Sequence, residues 1–141
     1  MDVKVNVNWM GQGFHMEAEN ETAGKIRIDG DRKIGGLEGG MSPMEMLLAG
    51  AAGCSAIDVI SILEKQRQDL KDLSVEVIGD REKLKEGYSR YNSIHLHFVL
   101  SGELDEKKVA RALELSITKY CSVSKALEKG SEITYDFTIK N

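Results

Sequence analysis

SPMEMLLAGAAGCSAIDVISIL, residues 42–63, decides how this chain folds. Ser42 is an N-cap residue, Pro43 suits the first helical position, and Glu45 stands three after the cap to complete a capping box. The apolar pattern behind this start predicts a helix that runs to about Gln68, where the polar tail EKQRQDLKD returns it to solvent. That helix is apolar almost all round, so it must be covered on every side. Three strands before it and three after can barely wrap it within one chain, and a dimer burying two such helices together is the natural solution.

Working outward, the first forty residues read as β. VKVNVNW places Val3, Val5, Val7 and Trp9 on one face, GQG (residues 11–13) is turn chemistry, and FHMEAEN and KIRIDG follow as strands. GGLEGG (residues 35–40) is a loop without the frame of a phosphate cradle. Beyond the helix, LSVEVIGD reads as a strand, REKLKEGYSRY as a charged connecting loop, and NSIHLHFVLSG as a strand alternating Ile94, Leu96, Phe98 and Leu100 with His95 and His97. A second helix is expected from about Asp105 to Tyr120, a short one over SVSKALEKG, and a last strand over EITYDFTIK. The fold class is α+β.

The chain has 141 residues, 41% hydrophobic and 30% charged, which describes one ordinary globular domain. A net charge of −4 and the lack of a basic stripe exclude a nucleic-acid footprint. Met46 to Leu63 carries a single charge, Asp58, and has the length of a short transmembrane candidate. Its Gly, Ala and Ser content, without flanking aromatic belts, favours burial in protein, with close packing at Gly50 and Gly53. The N-terminus has no signal-peptide pattern, so a cytoplasmic protein without a permanent structural disulfide is expected.

Cys54 and Cys121 are the two cysteines. Cys54 sits among small residues that allow close approach, and Cys121 opens a helical segment whose dipole stabilises a thiolate. A redox pair is one reading, and two thiols packed as small hydrophobes is the other. Asp58, four residues after Cys54, shares its helix face; a carboxylate there raises a thiol pKa, so a structural role is expected for it. His95 and His97 project to one side of a strand but lack the further ligands of a zinc site, and His15 adds none. Lys119 and Ser122 flank Cys121 as candidate thiolate stabiliser and helix cap.

The Ser42–Leu63 block, followed by KYCSVSKALEKG, resembles the OsmC/Ohr family of osmotically inducible and organic-hydroperoxide-resistance proteins, over essentially the whole chain. The resemblance is nearest to the OsmC-like branch carrying PMEM, GCSAIDVISIL, HLHF and KYCSV. It implies one domain over residues 1–141, with antiparallel strands around a long buried helix and an intertwined homodimer with active sites at the subunit interface. It also implies that Cys54 attacks an organic hydroperoxide, that Cys121 resolves the oxidised sulfur, and that a dithiol reductant restores both. No metal or organic cofactor, nucleic acid or membrane is required. Family peroxidases use an arginine from before the long helix and a glutamate early in it, for which Arg32 and Glu45 are the candidates here. Better known members place that glutamate directly after the proline; here Met44 stands there and Glu45 one position on, turned by about 100°. Arg27 and Arg32 both miss the expected offset, and weak or altered peroxidase activity is therefore expected. The alternative is a non-catalytic protein of the same fold that binds a small ligand or senses thiol oxidation.

Overall fold

Helix α1 (Pro43–Lys65) begins at the capping box written in its sequence. Ser42 Oγ accepts the Glu45 N–H at 3.2 Å, and Glu45 Oε1 accepts the Ser42 N–H at 2.9 Å. The structure, a computed structural model, describes residues 1–140 and resolves into two compact units that divide after Leu47.

The first unit carries β1 (Val5–Trp9), β2 (Met16–Asn20) and β3 (Lys25–Ile28) in one antiparallel sheet of that order. Pairing sets Val7 opposite Ala18 and Ala18 opposite Ile26, so the apolar residues share one face. Val5, Val7, Trp9 and Ile26 on that face are exposed, whereas Ala18 and Ile28 are buried. After β3 the glycine-rich loop closes around the buried Asp29, whose carboxylate accepts N–H groups of Gly30 (2.7 Å), Gly39 (3.1 Å) and Leu37 (3.3 Å). Burial pushes this carboxyl up in pKa, and the converging N–H groups more than reverse it, leaving it below its ordinary value.

In the second unit β4 (Asp69–Lys83) and β5 (Ser89–Glu103) form a long antiparallel hairpin, and β6 (Glu132–Lys140) joins β5 in parallel. A parallel neighbour needs a crossover, and α2 (Glu106–Leu115) and α3 (Ser122–Leu127) lie within that connection. Asp105 caps α2 by accepting from the N–H groups of Lys107 and Lys108. Ile94, Leu96, Phe98 and Leu100 line the buried face of β5. With Val109, Ala112 and Leu113 of α2 and Ala51, Ser55, Val59 and Leu63 of α1, they make the core of this unit. His95 and His97 take the opposite face, where both hydrogen-bond Asp136, at 3.0 and 2.6 Å. His97 above all, then His95, draws the Asp136 pKa down.

Two expectations change at the level of elements. The charged segment REKLKEGYSRY is mostly strand: β4 runs to Lys83, Arg81 pairs with Tyr91 and Glu82 with Arg90, and only residues 84–88 turn, with Gly87 at φ 105°. Its polarity reflects a hairpin end wet on both faces. The second helix ends at Leu115 and gives way to a π-turn over Ser116–Tyr120. Within the single chain, α1 is buried along one stripe, Ala51, Ser55, Val59 and Leu63, in keeping with a helix that these few strands can barely wrap. Its Gly53, Ile57 and Ile60 face open space, Ile57 being 69% exposed, and no atom lies within 4 Å of where a Gly53 Cβ would stand. By length and composition alone α1 could cross a membrane, a test that the core helix of a soluble protein also passes.

Candidate functional site

The site is built where α1 meets the connection between α2 and α3. Ser116–Tyr120 forms a π-turn, closed by the Cys121 N–H donating to Ser116 O at 2.7 Å. Such wide turns recur at functional positions because they re-aim the residues that follow. Cys121 then leaves helical geometry at φ −72°, ψ 104° and caps α3 with its own sulfur, which accepts the Ser124 N–H at 3.4 Å. The cap is therefore Cys121 and not Ser122. The Cys121 thiol is fully buried and points its proton toward Ala51 O, 4.0 Å away on α1.

One turn further along α1 lies Cys54, half-buried, and both cysteines are free thiols. The two sulfurs and an Asp58 carboxylate oxygen lie within 4.8 Å of one another. Opposing forces act on Cys54. Burial pushes its thiol pKa up, and the Cys121 thiol adds to that, while the Val123 and Ser122 N–H groups at the start of α3 pull it down; the net direction is upward from 9.0. The helix start thus supplies backbone donors to Cys54 without making it a strongly acidic thiol.

Asp58 is held by the π-turn. Ser116 Oγ lies 3.0 Å from Asp58 Oδ2 and 3.3 Å from both Ser55 O and Ser55 Oγ, so one hydroxyl ties the carboxylate to the α1 backbone. Sequence periodicity marks Ser116 as a helix-face position and says nothing of this link. The signal that could have raised it is a buried polar residue on the face that carries Cys54.

The other sequence-derived candidates have partners of their own. Arg32 lies in a short 3₁₀ turn of the first unit and pairs with Glu38 at 2.8 Å, on the surface. Glu45 is engaged in the Ser42 capping box. Lys119 sets its ammonium 5.2 Å from the Tyr120 ring centre. The structure brings together Cys54, Cys121 and Asp58, drawn from α1 and the π-turn junction.

Comparison with known proteins places the fold. The sequence pattern of the OsmC-like protein family matches residues 35–136. The chain is 39% identical to protein YhfA of Escherichia coli K12 over 138 residues, 97% of this chain and 98% of that protein. A hypothetical protein from Aquifex aeolicus is 27% identical and superposes with a TM-score of 0.80, covering 100% of this chain and 99% of the other. An organic hydroperoxide resistance protein, OsmC, from Legionella pneumophila has the same fold at 18% identity and a TM-score of 0.75, over 98% and 97% of the two chains. With a family pattern spanning residues 35–136 and a relative 39% identical over nearly its whole length, this chain belongs to the OsmC-like protein family.

Proposed function

We propose that this protein is a thiol-dependent reductase of organic hydroperoxides, with Cys54 as the attacking thiol and Cys121 as the resolving one. The observation that carries the reading is the approach of two free sulfurs from separate elements to within 4.8 Å. A disulfide needs about 2.05 Å between sulfurs, so the two thiols must draw together on oxidation. The partly exposed member of the pair is Cys54, which suits it to meet substrate, and the buried Cys121 is sheltered from direct oxidation.

The chemistry balances without a cofactor. The Cys54 thiolate attacks one peroxide oxygen, the O–O bond breaks, and the leaving alkoxide takes a proton to depart as alcohol. The sulfenic acid left on Cys54 condenses with the Cys121 thiol, forming the S–S bond and releasing water. A dithiol reductant then returns both sulfurs to thiols by exchange. The nearly uncharged run of sequence around Cys54 favours a hydrocarbon-bearing peroxide over hydrogen peroxide. Arg32 and Glu45 enter as auxiliary groups through the family resemblance alone. One domain over residues 1–141, a homodimer and a cytoplasmic setting belong to the same reading; the open stripe of Gly53, Ile57 and Ile60 supports the dimer.

A second reading, a non-catalytic protein that binds a small ligand or senses thiol oxidation, is favoured by the engagement of Arg32 with Glu38 and of Glu45 with the Ser42 cap, which gives both candidate helpers other partners. The test is consumption of cumene hydroperoxide against hydrogen peroxide under excess dithiol, followed by a thiol count after dithiol is withheld. Preferential turnover of the organic peroxide, lost in Cys54→Ser and accompanied by disappearance of both thiols, supports the enzyme. Loss of both thiols without turnover supports the sensor.

A further inference from the structure

We propose that Cys54, Cys121 and Asp58 form a binding site for a single thiophilic divalent cation of the zinc type, held by the reduced protein. Two sulfurs and a carboxylate oxygen converge within 4.8 Å. Tetrahedral zinc with bonds of about 2.3 Å to sulfur sets its two sulfurs about 3.8 Å apart, so the three donors need only modest side-chain rotation. Their chemistry selects the ion. Paired thiolates favour zinc and its soft relatives over magnesium or calcium, which take oxygen ligands.

Charge points the same way. Ionising both thiols beside Asp58 crowds three negative groups into one place, and a divalent cation relieves that repulsion directly. On binding, each thiol releases its proton to solvent and each sulfur shares a lone pair with the ion; no bond is oxidised or reduced. Ser116 Oγ donates to Asp58 Oδ2 at 3.0 Å, in the manner of an outer-shell partner that orients a ligand. Three protein ligands leave a fourth position, reached past the partly exposed Cys54 and Asp58, for water or a small anion. A bound ion would occupy both sulfurs and shield them from oxidation. The site does not depend on peroxidase activity, although it uses the same thiols.

The test is titration of the reduced full-length protein with cobalt(II), without peroxide, and then competition by zinc. One cobalt per chain is expected, with a thiolate-to-cobalt charge-transfer band and the strong visible bands of a tetrahedral ion. Cobalt binding should release a proton from each thiol, and zinc should then abolish these bands without further proton release and block iodoacetamide at the partly exposed Cys54. Asp58→Asn should weaken zinc binding at least about tenfold. Should that variant fail to fold, Cys54→Ser serves instead, and should cut the charge-transfer intensity per cobalt by about half. A missing cobalt band, or Cys54 still open to iodoacetamide under saturating zinc, overturns the site, as does unchanged zinc affinity in folded Asp58→Asn or an undiminished band in Cys54→Ser. Metal binding by a protein that consumes no peroxide overturns the peroxidase reading alone. Peroxide turnover without metal binding overturns the metal site alone.

Discussion

Cys54 carries two demands that pull against each other. A nucleophilic thiol must ionise, yet burial and the adjacent Cys121 hold this one above its ordinary pKa of 9.0. At neutral pH the protonated thiol therefore dominates. Its alkylation by iodoacetamide should climb about tenfold per pH unit through neutrality and level off only above pH 9. Cys121→Ser removes a neighbour that raises the Cys54 pKa and should shift that profile to lower pH. Intact-mass kinetics across a pH series reads both effects, and a profile that does not move would show that the two thiols are uncoupled.

At the scale of elements, the α1 start is held by the reciprocal bonds of its capping box and the Asp29 loop by backbone N–H groups donating to one carboxylate. Ser42→Ala should cost about 1 kcal/mol in urea unfolding, because it leaves a first-turn N–H without its acceptor. Glu45→Gln preserves the reach of the box while removing the charge. It should leave stability within about 0.5 kcal/mol of the parent. A fall in peroxide turnover in that variant would therefore report on catalysis and not on the helix.

The Asp29 carboxyl, lowered from 3.8, contributes stability at pH values above the usual carboxyl range and loses it as pH falls through the depressed pKa. Asp29→Asn should be less stable at neutral pH and respond less to acid below about pH 4. Circular dichroism along an acid titration measures the difference. The π-turn is the element with the most direct bearing on the site, since it both aims Cys121 and brings Ser116 to Asp58.

For the whole molecule the unfinished surface of α1 is the telling feature. Ile57 and Ile60 lie exposed beside Gly53, which meets nothing. Exposed apolar stripes of this kind mark association surfaces. Small residues there let another backbone approach closely, which accounts for Gly53 in a way the single chain does not. Ile57→Glu should convert the proposed homodimer to monomer, or raise its dissociation constant more than about a hundredfold, in sedimentation analysis. An unchanged dimer would move the interface elsewhere.

The sequence by itself determined the start of α1, the alternation of β5 and the α+β class. These rest on local rules: a Ser-Pro-Met-Glu cap, a period of two and a period near 3.6. It also carried the family, because the two cysteine-bearing segments are distinctive runs of residues. It misjudged the 81–91 hairpin, since charged residues suit a wet strand as well as a loop. It missed the π-turn, because a single residue's change in hydrogen-bond register leaves no mark in apolar spacing. Only the tertiary structure decided that Cys121 approaches Cys54 and that Ser116 binds Asp58. Those relations join residues far apart in the chain, and packing, not local propensity, sets where such residues meet.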